Sequence, residues 1–258
     1  MHILLTNDDG VRAPGLAVLK HCFAAHGYEV TVVAPNGQRS AASHAMTIRK
    51  PLYCQETTAG DGGIREIAVS GTPVDCVKLA MEYFLCTCRP DVIVSGINDG
   101  FNLGSDVLYS GTVSAAMEGP YYQVPALAVS MGKMDRQRGK ETAEIVHGII
   151  QNIVVRDKFP GILNVNIPLQ GPVVWENIRV VPQALQVYNN VILEKRDMDN
   201  GICYHIEGSP DLEMAPEESD IACVRRGKIA VTPLQWQQTA KNAILTVQRG
   251  LQKNTCHL

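Results

Sequence analysis

The amino-acid sequence predicts a doubly wound α/β domain, in which parallel strands alternate with helices along the chain. Short apolar runs recur between segments whose apolar residues repeat at helical spacing. These segments end at Gly, Pro, Asn or Asp, the residues that favour turns and helix ends. The chain has 258 residues, of which 45% are hydrophobic and 19% are charged, so it can form one large buried core with an appendage.

The elements follow one another in a regular order up to Pro168. A short apolar strand begins at Ile3, and the helix after it ends where its apolar repeat stops, at Gly27. Residues 43–68 interrupt the order and predict a hairpin or an extended excursion, with a turn at residues 60–63. Further strands are predicted at residues 29–34, 91–97, 124–130 and 161–167, and further helices at residues 112–118 and 141–154.

The helix that follows Thr72 has a clear start signal. Thr72 is a typical N-cap residue, and Pro73 is favoured at the first helical position. Asp75 occupies the third helical position, from which its carboxylate can accept a hydrogen bond from the N–H of the cap residue. The sequence therefore predicts a capping box at this helix start.

The alternation of strands and helices weakens in the last third of the chain. Residues 170–233 contain β-leaning segments separated by polar turns, and Asn200-Gly201 is typical of a hairpin. We interpret residues 170–233 as a protruding β arm and residues 239–258 as a C-terminal helix. All 258 residues then belong to one domain.

The composition excludes several classes of partner. A net charge of −3 and an aromatic content of 5% provide neither the basic field nor the stacking surface that binds nucleic-acid polymers. No apolar run is long enough to cross a bilayer, and no charged and apolar leader precedes the first strand. We expect a cytoplasmic protein that binds neither nucleic-acid polymers nor membranes.

The spacing of cysteine and histidine gives no sign of a soft-metal site. The eight cysteines are scattered, and the close pair Cys86-Thr87-Cys88 fits neither a redox CxxC motif nor a zinc knuckle. The seven histidines do not pair at i, i+3 or i, i+4 around a carboxylate. We expect reduced cysteines and no zinc site built from His and Cys.

The first strand ends in two adjacent carboxylates, Asp8 and Asp9, followed by Gly10. In an open parallel sheet, ligands bind beyond the carboxyl ends of the strands. The two carboxylates repel each other, and a bound cation is the simplest way to offset that repulsion. The alternative is a solvated turn in which Asp caps the next helix.

Two further polar residues are predicted to lie near this pair. Ser40 follows the second strand and Asn98 follows the strand at residues 91–97, so parallel strands would bring both to one edge of the sheet. With Asp8 and Asp9 they offer hard oxygen ligands, which suit Mg²⁺ or Mn²⁺. Taken singly, Ser40 and Asn98 are ordinary turn residues, and it is their joint placement that favours a metal site.

A segment of small residues at positions 109–116 opens the helix predicted at residues 112–118. N–H groups at a helix start attract phosphate, and the hydroxyls of Ser110 and Thr112, on either side of Gly111, add donors. An ordinary helix capped by Ser or Thr is the alternative. The segment is neither a Walker A nor a GxGxxG sequence, so it does not favour an ATPase or a dehydrogenase.

Taken in order, these motifs resemble the SurE family of stationary-phase survival proteins, which are metal-dependent nucleotidases. The resemblance covers most of the chain and thins at about residues 44–68 and 135–212. It rests on ILLTNDDG (residues 3–10), the Arg39-Ser40 loop, SGTPVDCV (70–77), SGINDGFNLGSDVLYSGTVSAAMEG (95–119), PALAVS (125–130), LNVNIP (163–168) and SDIACVRRGKIAVTPL (219–234).

The resemblance implies a Rossmann-like three-layer αβα core with a mostly parallel sheet, and a β arm used to form a homodimer or homotetramer. It also implies hydrolysis of nucleoside 5′- and 3′-monophosphates, with exopolyphosphatase activity in some members. The family binds a divalent ion, Mg²⁺ or Mn²⁺ with one ion per subunit, and its ligands fall on Asp8, Asp9, Ser40 and Asn98. Its phosphate-binding residues fall on Asn102, Ser110, Gly111 and Thr112.

Either Asp8 or Asp9 is expected to position or deprotonate the attacking water, and the sequence does not choose between them. Asp99 adds a carboxylate at a position that varies in the family, and we assign it no ligand role. A haloacid-dehalogenase-like phosphatase would need a DxDx[TV] pattern, which the NDDG sequence lacks. A nucleotide-binding regulatory protein without turnover is the other alternative, although Asp8, Asp9 and Asn98 are all present.

Overall fold

The computed structural model describes residues 1–58, 64–185, 188–197, 201–210 and 215–252. The strands are β1 (His2–Thr6), β2 (Glu29–Pro35), β3 (Cys54–Thr58), β4 (Arg65–Val69), β5 (Val92–Asp99), β6 (Ala126–Met131), β7 (Ile162–Ile167), β8 (Ile178–Val180), β9 (Tyr188–Asp197), β10 (Gly201–Pro210) and β11 (Ile229–Leu234). The helices are α1 (Pro14–Ala25), α2 (Pro73–Leu79), α3 (Gly111–Met117), α4 (Arg136–Ile149), α5 (Asp220–Arg225) and α6 (Ile244–Gln252).

The main sheet has nine strands and places β1 near its centre. Its order is β3-β4-β2-β1-β5-β6-β7-β11-β8. β1 pairs in parallel with β2 on one side and with β5 on the other. The strands that follow β1 in the chain, β2 to β4, lie on one side of it. The chain then returns past β1, and β5 to β7 lie on the other side. Such a reversal is a topological switch point, where a crevice opens beyond the carboxyl ends of the strands.

Helices cover both faces of the main sheet and make a three-layer αβα core. Ile3 and Leu5 of β1 lie on the face that α1 and α4 cover. Leu4 lies on the opposite face, under α2 and α3. Successive side chains of a strand point to opposite faces, and helices cover both faces of this sheet. β1 is therefore apolar at each of these positions. The predicted α/β class with a mostly parallel sheet is confirmed.

Antiparallel pairs occur toward both edges of the main sheet. β3 runs antiparallel to β4, so of the two structures predicted for residues 43–68, a hairpin or an extended excursion, the chain forms the hairpin. Its predicted turn at residues 60–63 lies outside the described residues. On the other side, β11 runs antiparallel to β7 and pairs in parallel with β8.

Local capping sets the starts of two helices. At α2, the Thr72 hydroxyl accepts from the N–H of Asp75 at 3.2 Å, and the Asp75 carboxylate accepts from the N–H of Thr72 at 2.8 Å. The predicted capping box is therefore confirmed. α4 begins at Arg136, earlier than the predicted residues 141–154, because Asp135 caps a polar first turn that carries no apolar repeat. Among the described residues, no helix combines the length and the apolar composition needed to cross a membrane.

β9 and β10 form a two-stranded antiparallel sheet apart from the main sheet. They lie in the middle of residues 170–233, the range predicted as an arm, whereas β8 and β11 in the same range join the main sheet. α5, which the sequence did not predict, is capped by Ser219. Asn200 of the predicted hairpin signal lies outside the described residues, as do residues 253–258 of the predicted C-terminal helix.

We predict that Thr72→Ala lowers the free energy of unfolding by about 1 kcal/mol, because the cap of α2 is lost. The same hydroxyl donates to the carbonyl of Ala45 at 2.7 Å, and this contact is lost as well. Thr72→Ser keeps the hydroxyl and should unfold within about 0.5 kcal/mol of the wild type. Urea titrations followed by circular dichroism measure both variants, and equal midpoints for Thr72→Ala and wild type would refute the prediction.

Candidate active site

Three of the predicted site residues, Asp8, Asp9 and Asn98, lie at the carboxyl ends of β1 and β5. β1 ends at Thr6, just before Asp8 and Asp9, and Asn98 is the penultimate residue of β5. Thr6 pairs with Ser95 in the parallel register, so the two strand ends are neighbours. A register shift between Ser95 and Asn98 marks an irregularity in β5, a feature that redirects side chains near functional sites.

Asp8 is held against the first turn of α3. Its side chain is buried, and the residue is only 5% exposed. The Thr112 hydroxyl donates a hydrogen bond to Oδ1 of Asp8 across a sequence separation of 104 residues. Burial raises the pKa of Asp8, and the Thr112 hydroxyl with the N–H groups of Thr112 and Gly111 opposes that rise. The fold thus joins three of the predicted site residues directly.

Ser110 determines where α3 begins. Its Oγ accepts from the N–H of Val113 at 3.1 Å and makes Ser110 the N-cap. Its carbonyl oxygen accepts from the Ser114 hydroxyl at 2.6 Å. Ser110 is therefore a helix cap, the alternative that the sequence left open. The cap takes up the N–H of Val113, whereas the N–H groups of Gly111 and Thr112 face the Asp8 carboxylate.

Gly111 permits the close approach of Asp8 to α3. A Cβ atom at this position would lie 2.8 Å from Cβ of Asp8 and 3.0 Å from its Oδ2. Side chains larger than hydrogen would push the carboxylate out of its place. Gly10, just after the carboxylate pair, has a φ of +107° and allows the tight turn that follows β1.

Asp9 faces a further carboxylate, that of Asp99 at the end of β5. The N–H of Asp99 donates to Oδ2 of Asp9 at 3.4 Å. Burial and the negative charges of Asp8 and Asp99 raise the pKa of Asp9. The Asp99 carboxylate accepts from the N–H of Met134 at 2.6 Å, which fixes its orientation. The site thereby concentrates negative charge at the switch point.

Ser40 lies in the loop after β2 and Asn98 lies near the end of β5, on opposite sides of β1. The N–H of Arg39 donates to the carbonyl oxygen of Asp8 at 2.7 Å, so Ser40 directly follows a residue that contacts Asp8. The Ser40 hydroxyl accepts a hydrogen bond within its own loop at 2.9 Å. Nδ2 of Asn98 donates to the carbonyl oxygen of Gly100 at 2.9 Å, which sets the orientation of the amide.

Asn102 lies in a buried polar network, where its contacts are structural. Its Nδ2 donates to the Ser130 hydroxyl at 2.7 Å, and its N–H donates to Oδ1 of Asn166 at 2.9 Å. Its carbonyl oxygen accepts from Nδ2 of Asn164 at 2.8 Å. These bonds tie the loop after β5 to β6 and β7. The LNVNIP motif contains both Asn164 and Asn166, but the sequence alone did not indicate what these asparagines do.

The donor chemistry of the site fits a hard divalent cation. Asp8 and Asp9 carry raised pKa values because of burial and, for Asp9, because of neighbouring negative charge. A bound cation would offset the cost of keeping both carboxylates ionised. Carboxylate, hydroxyl and amide oxygens are the ligands that Mg²⁺ and Mn²⁺ prefer.

Comparison with known proteins identifies the family. Residues 3–190 match the family model described as Survival protein SurE. This chain belongs to the SurE family. A 5'-nucleotidase SurE of Desulfitobacterium hafniense (strain DSM 10664 / DCB-2) is 41% identical over 234 residues, which are 91% of this chain and 90% of that protein. A 5'-nucleotidase SurE of Anaeromyxobacter sp. (strain Fw109-5) is 44% identical over 238 residues, with 91% and 89% covered.

A solved structure supports the same assignment. The crystal structure of the SurE protein from Aquifex aeolicus matches with a TM-score of 0.81 at 32% identity, covering 96% of this chain and 99% of that chain. The three-layer α/β core described above is therefore the SurE fold. The resemblance predicted from the ordered motifs is confirmed.

We predict that Gly111→Ala lowers the free energy of unfolding by about 1–3 kcal/mol, because the new Cβ overlaps Asp8. Gly37→Ala is the matched control, since a Cβ there meets no atom within 4 Å. Thermal and urea unfolding of both variants measure the difference. A Gly111→Ala protein as stable as Gly37→Ala would show that Asp8 does not need this close approach.

Proposed function

We propose that this SurE-family chain is a metal-dependent phosphomonoesterase that hydrolyses nucleoside 5′-monophosphates to nucleoside and phosphate. The observation that carries the proposal is the Asp8–Asp9 pair at the switch point, with Asp8 held against the first turn of α3. A carboxylate pair suits a cation, and a helix start suits a phosphate. Relatives that are 41% and 44% identical bear the name 5'-nucleotidase SurE.

In this proposal, Asp8, Asp9, Ser40 and Asn98 hold one Mg²⁺ or Mn²⁺ ion per subunit. When bound, such an ion polarises a phosphoryl oxygen and lowers the pKa of a coordinated water. The protein residues supply the negative charge that attracts the ion and the buried surroundings that strengthen the interaction.

The protein residues have separate roles in the proposed reaction. Asp9 is the better candidate to position the attacking water and accept its proton, because the Asp8 carboxylate is more buried and already accepts from Thr112. Ser110, Gly111 and Thr112 would bind phosphate oxygens through N–H groups of the first turn of α3, and so stabilise the charge that spreads over those oxygens. Asn102 would contribute by anchoring the loop that follows Asn98 and the end of β5.

We further propose 3′-nucleotidase and exopolyphosphatase side activities and a cytoplasmic location. The test is phosphate release from a panel of 5′- and 3′-monophosphates and polyphosphate, each with Mg²⁺, Mn²⁺ or EDTA. Release from nucleotides that requires a divalent ion supports the proposal. Tight nucleotide binding without phosphate release would instead favour a regulatory protein that keeps the fold without turnover.

Asp9→Asn is predicted to lower nucleotidase activity at least about a hundredfold, because a charged ligand is lost from a site whose catalysis is electrostatic. The same change removes like-charge repulsion with Asp8 and Asp99, so the metal-free protein should melt at the same temperature as wild type or slightly higher. Phosphate release and thermal melting are measured with Mn²⁺ and with EDTA.

Asp157→Asn serves as the matched control for this experiment, since it makes the same chemical change at an exposed carboxylate paired with Arg156. It should leave activity within twofold, or roughly 0.4 kcal/mol, of wild type. Full activity of wild type in EDTA, or an Asp9→Asn protein as active as Asp157→Asn, would overturn the assignment.

We also propose that β9 and β10 take part in an interface between subunits of a homodimer or homotetramer. An isolated two-stranded sheet is only marginally stable in water. This sheet exposes apolar side chains, with Ile192, Ile202 and Tyr204 being 59%, 52% and 63% exposed. Strands or an apolar surface of another subunit would cover them.

Light scattering at micromolar concentration is expected to give two or four times the chain mass of 28.1 kDa. Ile202→Lys should lower that mass by placing a charge in the proposed contact, while Asp157→Asn should not change it. A wild-type mass equal to one chain would rule out the interface.

A further inference from the structure

A thiol, an imidazole and a carboxylate meet between α1 and α4, away from the carboxylate pair. Cys22 lies on α1, His26 caps the end of α1, and Glu144 lies on α4. Sγ of Cys22 donates to Oε1 of Glu144 at 3.5 Å, and Nε2 of His26 lies 3.0 Å from Oε2 of Glu144. The three potential ligand atoms all lie within 4.8 Å of one another.

The surroundings position the imidazole of this cluster. His147, one helical turn beyond Glu144, stacks on His26 with 3.8 Å between ring centroids and an interplanar angle of 7°. Nδ1 of His147 lies 2.9 Å from the Tyr28 hydroxyl, which fixes the stacked ring in turn. The stacked ring of His147 limits the orientations open to the His26 imidazole.

The same cluster borders an open space through which an ion can reach it. Cys22 and Glu144 line a cavity of about 1060 Å³ between α1 and α4. Arg136 and Lys140 also line this cavity, and their positive charges act against a cation. A cation bound here is therefore held by its bonds to the ligand atoms, and the net electrostatic potential of the cavity contributes little to its binding.

The geometry does not suit a catalytic thiol. Burial and the charge of Glu144 raise the pKa of Cys22 to about 12. A nucleophilic cysteine needs the opposite, a thiolate stabilised by a neighbouring positive group. In this cluster the hydrogen-bond partner of the thiol is a carboxylate. A bound divalent cation would reverse that balance, because it stabilises both the thiolate and the carboxylate.

We propose that Cys22, His26 and Glu144 form a second metal site, which takes a borderline or soft divalent cation of the Zn²⁺ type. Sulfur, nitrogen and oxygen ligands from these residue types form tetrahedral zinc sites, with a water in the fourth position. The thiolate disfavours Mg²⁺, so the site is chemically distinct from the all-oxygen set at Asp8 and Asp9. Binding releases the Cys22 thiol proton to solvent and links the end of α1 to α4.

Cobalt(II) is the probe for this proposal, because a cobalt–thiolate bond gives a charge-transfer band in the near ultraviolet. The full-length protein, stripped of metal and kept reduced, is titrated with Co²⁺ and then with Zn²⁺. We expect a band whose final intensity corresponds to one cobalt–thiolate bond per chain and which disappears when Zn²⁺ displaces the cobalt. Zn²⁺ should also raise the melting temperature, since the folded chain brings the three ligands together and binds the ion more tightly than the unfolded chain does.

Variants separate this site from the other cysteines. Cys22→Ser should abolish the band, and Glu144→Gln and the exposed His26→Ala should each weaken Zn²⁺ binding at least about tenfold. Cys88→Ser is the matched control, because Cys88 lies with His2 and Glu29 in the other such group found among the described residues. It should keep both the band and the affinity.

The proposal is wrong if folded wild-type protein shows no cobalt–thiolate band. It is equally wrong if the band survives in Cys22→Ser, or if Zn²⁺ affinity is unchanged in both His26→Ala and Glu144→Gln. The readout is spectroscopic, so a failure of the nucleotidase proposal would not affect it. An Asp9→Asn protein should show the same band as wild type.

Discussion

The contact between the Asp8 carboxylate and the first turn of α3 is the interaction on which the rest of the site depends. Gly111 and Thr112 at the start of α3 hold a carboxylate that burial would otherwise drive toward its neutral form. Because Asp8 is held there, Asp9 is directed toward Asp99 at the end of β5. The switch point thus combines a helix start, which favours anions, with carboxylates, which favour a cation. Phosphate transfer needs both in one place.

The sequence predicted the parts of this arrangement that follow from local rules. The apolar strands, the capping box at Thr72 and the turn after the NDDG motif each depend on residues close together in the chain. The shared edge of Asp8 and Asn98 followed from one further assumption, that the strands run parallel, and the pairing of β1 with β5 bears it out. Local rules do not predict the hydrogen bond from Thr112 to Asp8, because this bond depends on how α3 packs beside β1.

The rest could not be predicted, for identifiable physical reasons. α4 begins with a polar turn, so its start is visible only as the cap at Asp135. Asn102 has the residue type of a ligand, yet its bonds go to Ser130 and β7, which the sequence places far away. The cluster of Cys22, His26 and Glu144 was missed because no carboxylate lies between Cys22 and His26, and Glu144 follows His26 by 118 residues. Only the packing of α1 against α4 brings the three side chains together.

The Asp8–Asp9 pair is expected to bind the divalent ion that the proposed phosphatase requires. Diffraction from crystals soaked with Mn²⁺, recorded where manganese scatters anomalously, tests this directly. We predict an anomalous peak within coordination distance of carboxylate oxygens of both Asp8 and Asp9, and no such peak at these residues in Asp9→Asn crystals. Manganese bound only elsewhere, in a protein that still releases phosphate from nucleotides, would contradict the claim.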